Sequence, residues 1–211
     1  TLTVSASSQT IDLSGTGNDL TGPVTLTGAA VTLEDTTATS IAGISATGAL
    51  SVTSSGAITQ SGAIDADSTA GFTAGANAIT LTNSSNDFSG AVSLSNSGSN
   101  DVALTDANAL DLGSVAVGQN LTVTTGGALT DSGAITVGSL AKIVSTGQAV
   151  TLGDSTSANF GSLDFAGAAV SIKEGSSMEL AASEATGGLS LEATGAITQS
   201  GAIDADSTAT F

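Results

Sequence analysis

The chain has 211 residues, a formal net charge of −17, and no histidine, cysteine, tryptophan or tyrosine. The missing side chains exclude histidine-based acid and base catalysis, thiolate metal sites and disulfide bonds. Nineteen acidic residues against two lysines, Lys142 and Lys173, exclude binding to duplex nucleic acid or to an anionic membrane surface. No apolar run approaches the roughly 18 residues of a membrane span, so we expect no membrane insertion.

The abundance of glycine, serine and threonine, together with the high charge, is also typical of disordered linkers. Three observations favour a folded chain instead. The mean hydropathy is +0.34, proline occurs once, at Pro23, and branched apolar residues recur at regular spacing.

The chain contains an internal repeat. The segment GAITQSGAIDADSTA at 56–70 returns letter for letter at 195–209, an offset of 139 residues. A more divergent middle copy, in which only apolar positions are kept, is related to the first by offsets of 68 and then 71 residues. We therefore divide the chain into repeat unit 1 (3–70), unit 2 (71–141) and unit 3 (142–209). Thr210 and Phe211 resemble the start of a fourth unit, so we expect a longer array.

Within each unit, the apolar residues often occur as pairs two positions apart, with polar residues on both sides. In chain order, the pairs of unit 1 are Ile11/Leu13, Val24/Leu26, Val31/Leu33 and Leu50/Val52, and single apolar positions follow at Ile58 and Ile64. This alternation predicts short strands with one buried face. Ser-Gly, Thr-Gly and Asn-Asp dipeptides between them predict turns every eight or so residues.

Many short strands without helices leave tandem β-sandwiches or a β-solenoid. A sandwich of about 70 residues would require a large central aromatic residue, whereas a β-helix packs small apolar residues over similar ones in the next rung. We therefore predict an all-β parallel β-helix in which Leu50, Leu121 and Leu189 all point inward. If every unit begins on the same face, it holds a whole number of rungs, either three of about 23 residues or four of about 17. The first choice gives about nine rungs, a rod on the order of 43 Å long.

The strongest candidate for a binding site is the repeated Asp-Ala-Asp sequence. Asp65 and Asp67 in unit 1 recur as Asp204 and Asp206 in unit 3. Carboxylates two positions apart on a strand share a face and can converge on Ca²⁺. The middle unit has Thr136 and a glycine there, so the alternative is a solvated turn. Asn18-Asp19 and Asn86-Asp87 predict turns whose side chains hydrogen-bond the backbone.

Some enzymes are parallel β-helices, but the residue types here argue against catalysis. Polysaccharide lyases need a strong base, and glycosidases need opposed carboxylates and aromatic sugar platforms. Arginine, tryptophan and tyrosine are absent. Thr-x-Thr pairs at 25–27, 80–82 and 122–124 suggest an ice-binding face, but they do not recur at one place in every unit. We predict that the chain is not an enzyme and has no cofactor other than the candidate Ca²⁺.

The repeats resemble the passenger regions of bacterial surface proteins of the filamentous haemagglutinin type. The resemblance is carried by the G-A-I-T-x-x-G-A-I runs at 56–64 and 195–203, the related residues from Gly127 to Ile135, and the stretch at 86–94. It covers the whole chain and implies a right-handed parallel β-helix, secretion and display at the cell surface. The near absence of basic residues departs from the better-known members and argues against binding to acidic glycans.

The function predicted from these features is that of a structural rod or stalk segment that spaces or presents an adhesive region of a large adhesin. The alternative is a glycan- or calcium-binding module. The expected partners are the neighbouring repeats of the same chain and, for an adhesive surface, a cell-surface glycan or protein. The absence of cysteine suits a long chain that is exported unfolded, and we expect a secreted or cell-surface location.

Overall fold

The structure is a computed structural model that describes residues 1–154 and 156–211. The described residues form strands, turns and bends and contain no helix, hence none that could cross a membrane. The strands are β1 (Leu2–Ala6), β2 (Ile11–Leu13), β3 (Val24–Gly28), β4 (Val31–Asp35), β5 (Thr39–Ala46), β6 (Leu50–Ser54), β7 (Ile58–Gln60), β8 (Ile64–Ala66), β9 (Ala70–Thr73), β10 (Ile79–Leu81), β11 (Asp87–Phe88), β12 (Val92–Ser95), β13 (Val102–Asp106), β14 (Leu110–Val117), β15 (Leu121–Thr125), β16 (Leu129–Asp131), β17 (Ile135–Val144), β18 (Val150–Leu152), β19 (Ala158–Gly167), β20 (Val170–Glu174), β21 (Met178–Leu180), β22 (Ser183–Ala185), β23 (Leu189–Ala193), β24 (Ile197–Gln199), β25 (Ile203–Ala205) and β26 (Ala209–Thr210).

The strands wind into a parallel β-solenoid of about ten turns, which confirms the predicted fold class. The right-handed sense stays a prediction. Each rung passes three flat faces, and each strand pairs in parallel with the strand one rung away. Face 1 contains β1, β3, the second half of β5, β8, β11, the first half of β14, β16, β18, β20, β23 and β26. Face 2 contains β2, β4, β6, β9, β12, the second half of β14, the first halves of β17 and β19, β21 and β24. Face 3 contains the first half of β5, β7, β10, β13, β15, the second halves of β17 and β19, β22 and β25.

The core is a set of apolar ladders that runs through all rungs. Alternate side chains of each strand point inward, as in β4, where Val31, Leu33 and Asp35 are buried and the residues between them are partly exposed. Leu50, Leu121 and Leu189 are each at most 3% exposed, which confirms their predicted inward direction. Most core side chains are Val, Ile, Leu or Ala, and the largest are phenylalanines such as the edge-to-face pair Phe72 and Phe88.

The expectation of a whole number of rungs per unit is wrong. Directly paired residues lie 19 positions apart at Val31 and Leu50, 20 apart at Val150 and Val170, and 23 apart at Ile135 and Ala158. From Val31 on face 2 to its counterpart Val102, the chain passes ten faces and arrives on face 3. A unit therefore makes three and one-third turns, and each unit is rotated by one face relative to the one before. Because all three faces are flat strands, nothing forces a unit to start on the same face.

The glycines of the G-A-I-T-x-x-G-A-I run lie at corners where two rungs approach closely. A Cβ atom on Gly56 would lie 2.7 Å from the backbone nitrogen of Ala38, and one on Gly62 would overlap the carbonyl oxygen of Ala42. Gly133 and Gly201, the counterparts of Gly62, face the backbone of the preceding rung in the same way. These corners require glycine for its lack of a side chain, since none of these four glycines has a φ in the left-handed region.

Candidate functional site

The first Asp-Ala-Asp sequence lies on face 1. Asp65 is exposed on β8, Asp67 follows the strand, and Asp87 on β11 pairs directly with Asp65 one rung further on. Partial burial, followed by the neighbouring Asp67 and Asp87 carboxylates, raises the pKa of Asp65. The structure thus adds a third carboxylate, Asp87, beside the predicted pair.

The second copy has a different neighbour. Asp204 on β25 pairs with Glu184 on β22, and Asp206 follows; both aspartates are exposed. This copy lies on face 3. Among residues 1–154 and 156–211, no three acidic groups are arranged so that they could hold a metal ion. The assignment of Asp65, Asp67, Asp204 and Asp206 as Ca²⁺ ligands stays a prediction.

The asparagines of the two Asn-Asp pairs hydrogen-bond the backbone, as the sequence predicted, and each also clamps its own rung to the next one. The Asn18 amide donates to the carbonyl oxygens of Leu13 at 2.7 Å and Glu34 at 3.0 Å. The amide of Asn86, its counterpart in unit 2, donates to the equivalent carbonyls, those of Leu81 and Thr105. Asn86 is fully buried, and its side-chain oxygen also accepts the backbone N–H of Ile64 at 3.0 Å.

A second repeated feature was not predicted from the sequence. Asp35, Asp106 and Glu174 stand at equivalent positions of the three units, at the ends of β4, β13 and β20. They are 4%, 2% and 3% exposed, because the alternation of each strand turns its last side chain inward. The rotation of the units places these buried carboxylates on faces 2, 3 and 1, respectively.

Each buried carboxylate accepts a backbone N–H from a neighbouring segment. The donors are Leu20 for Asp35 at 3.1 Å, Phe88 for Asp106 at 3.0 Å and Phe160 for Glu174 at 3.1 Å.

A further donor lies two residues after each carboxylate. It is Thr37 for Asp35, through its N–H and hydroxyl at 3.1 Å each, and Ser176 for Glu174, through its hydroxyl at 3.0 Å. For Asp106 it is the backbone of Asn108. The carboxylates therefore satisfy backbone donors at a corner of the rung, which is a structural role.

Comparison of the units could have revealed this position. An acidic residue follows the inward pair in all three units, whereas the Asp-Ala-Asp sequence is kept in two.

Two shallow recesses occupy equivalent places in units 1 and 3. The first, of about 120 Å³, is lined by residues that include Glu34, Asp35 and Thr53, and the second, of about 190 Å³, by their counterparts Lys173, Glu174 and Glu192. Both are smaller than the roughly 300 Å³ at which small-molecule pockets usually begin. Neither contains an aromatic side chain on which a sugar ring could stack.

Both lysines form ion pairs with carboxylates on neighbouring rungs. Lys142 Nζ lies 2.6 Å from Asp164 Oδ2. Lys173 Nζ lies 3.5 Å from Asp154 Oδ1 and 3.6 Å from Glu192 Oε2. These pairs are partly or largely exposed, so each contributes little to stability.

The stacked rungs, the inward ladders and the features repeated once per unit define a β-solenoid repeat protein. The chain belongs to the family described as Repeats of unknown function (DUF5649), whose model matches residues 1–27, 28–95, 99–164 and 167–211. No curated protein and no solved structure matches the chain significantly.

Proposed function

We propose that the chain is a structural rod or stalk segment of a large secreted or cell-surface adhesin, where it spaces or presents an adhesive region. The observation that carries this proposal is the continuous core through about ten turns. At about 4.8 Å per rung, ten turns extend on the order of 48 Å. Each rung packs only on its neighbours, so length grows in proportion to the number of units.

The outward side chains support a spacer. Between the buried positions, the strands present mainly serine, threonine, glycine and alanine, as in Thr53 and Thr73 on neighbouring strands of face 2. The net charge of −17 makes parallel rods repel one another and keeps them soluble. The two recesses beside Asp35 and Glu174 are too small to favour a catalytic role, and we infer that the segment is not an enzyme.

The rotation of the units also suits a spacer. A residue that occurs once per unit moves to the next face in each unit, so its copies are spread around the rod. A feature that is kept in all three units is therefore not concentrated on one side of the rod.

A display experiment tests this function. One, two or four copies of the segment are placed between a cell-surface anchor and a known binding domain. We expect capture of a bulky ligand to rise with copy number, while cells that display the segment without the binding domain do not adhere. Capture that does not depend on copy number would contradict the spacer role. Antibodies against the segment should label intact cells of the producing organism; labelling only after permeabilisation would contradict the location.

The alternative is a glycan- or calcium-binding module, and the observation that favours it is the direct pairing of Asp65 with Asp87 on the next rung, with Asp67 two positions after Asp65. Saturable adhesion of the segment by itself, or a Ca²⁺ titration that saturates at millimolar ion and is abolished by Asp65→Asn, would favour this alternative over the spacer.

A further inference from the structure

The three buried carboxylates differ in the surroundings of their second oxygen. In unit 1, Thr39 lies four residues after Asp35, and its hydroxyl donates to Asp35 Oδ2 at 3.1 Å. The equivalent positions in units 2 and 3 are Leu110 and Met178, which are buried and apolar. Among the described residues, Asp106 Oδ2 and Glu174 Oε2 are buried without a hydrogen-bond partner.

A buried carboxylate oxygen without a donor disfavours the ionised form. Burial raises the pKa of Asp106, and the Asp87 carboxylate raises it further, against the opposing effect of the N–H groups of Phe88, Asn108 and Ala107. Burial likewise raises the pKa of Glu174, against the opposing effect of the Phe160 N–H and the Ser176 hydroxyl.

Few charged groups surround these two carboxylates. Asp87 on β11 is the charged group that acts on Asp106. Beside Glu174 lie Lys173 on the same strand and Glu192 on β23, with Asp154 in the turn after β18. Lys173 is ion-paired with both of these acids at the surface.

We propose that Asp106 and Glu174 make the rod responsive to pH, because their rungs accommodate the neutral acid and are weakened when it ionises. This inference goes beyond the spacer function and does not depend on it. A folded-state pKa above the ordinary values of 3.8 for aspartate and 4.5 for glutamate means that the folded state binds protons more tightly than the unfolded state. The contribution of these two groups to stability is therefore fully present below their ordinary pKa values and is lost as the pH rises through their folded-state pKa values.

Two double variants that remove the same charge test the proposal. Asp106→Asn/Glu174→Gln removes the buried carboxylates, and Asp204→Asn/Glu179→Gln removes two exposed ones of the same types. Unfolding temperatures are measured from pH 4 to pH 8. The general repulsion among acidic groups affects both variants alike, so their difference isolates the buried pair.

We expect the unfolding temperature of the parent and of the exposed-site variant to fall as the pH rises from 4 to 8. The unfolding temperature of the buried-site variant should fall less, and the two falls should differ by at least about 3 °C. An equal change of unfolding temperature with pH in the two variants would overturn the proposal.

A titration of the parent protein, followed by the carboxyl ¹³C signals, gives an answer even if the buried-site variant does not fold. We expect Asp106 and Glu174 to titrate above their ordinary values; titration at or below those values would overturn the proposal. Leu110→Thr introduces the hydroxyl found in unit 1 and should lower the pKa of Asp106. Glu174, on another face and several rungs away, serves as the internal control in that variant, and its pKa should not change.

Discussion

Replacement of Gly62 by alanine tests the reason for the repeated glycines. The added Cβ would overlap the carbonyl oxygen of Ala42 and lie 2.7 Å from its carbonyl carbon. Both atoms belong to the backbone of the preceding rung, where Ile41 accepts the N–H of Ser61 at 2.8 Å, so relief requires a shift of the rung itself. Overpacking of this kind costs about 1–3 kcal/mol, and we expect Gly62→Ala to lower the free energy of unfolding by about 2 kcal/mol.

Gly71 provides the matched control. It points outward on β9, and a Cβ there would lie 3.9 Å from its nearest neighbour, the carbonyl oxygen of Leu50. Gly71→Ala should be neutral or stabilise by up to about 1 kcal/mol, because alanine restricts the unfolded chain. Urea denaturation measures both variants, and Gly133→Ala should behave like Gly62→Ala. Equal midpoints for Gly62→Ala and Gly71→Ala would refute the close-approach explanation.

Three further predictions concern the clamps, the repeat and calcium. Asn86→Ala should destabilise the chain by about 2–3 kcal/mol, because it leaves the buried N–H of Ile64 without an acceptor. Asn18→Ala, at the half-buried equivalent position, should cost about 1 kcal/mol. Equal losses of stability in thermal or urea unfolding would contradict this. Deletion of 71–141 should leave a folded rod shorter by a third, and an unfolded product would contradict the repeat interpretation. Millimolar Ca²⁺ should change the unfolding temperature little, and a rise of many degrees would make the Asp-Ala-Asp carboxylates ligands.

Much of the fold follows from the sequence because the core is made of ladders of apolar side chains. The pairs Val31/Leu33 and Leu50/Val52 specify both strand and facing, since successive side chains of a strand point to opposite sides. The predicted rung length was wrong for a physical reason. The sequence repeat gives the number of residues between equivalent positions, whereas the rung length is set by three faces and the corners between them. A repeat that starts again one face further on produces the same periodicity in the sequence as one that starts on the same face.

The site-level features were less predictable. The turn clamps of Asn18 and Asn86 could be foreseen because asparagine at a turn has local backbone partners. The inward direction of Asp35 could have been read from strand alternation, but a buried carboxylate is disfavoured unless donors meet it. Those donors, such as the N–H of Leu20, come from a segment 15 residues away, and the sequence alone does not place them there.

Equivalent residues of the three units pack against equivalent neighbours, although each unit is rotated by one face relative to the one before. A side chain is surrounded by the residues one rung before and one rung after it, and these occupy the same unit positions whichever face is involved. The inward stack through Leu50, Leu121 or Leu189 reads Val31–Leu50–Ala70 on face 2, Val102–Leu121–Ala141 on face 3 and Val170–Leu189–Ala209 on face 1. All three stacks have valine, leucine and alanine in the same order. Insertion or removal of a complete unit therefore preserves these contacts while it turns the rest of the rod by one face, so the array can change in length without a change in its core.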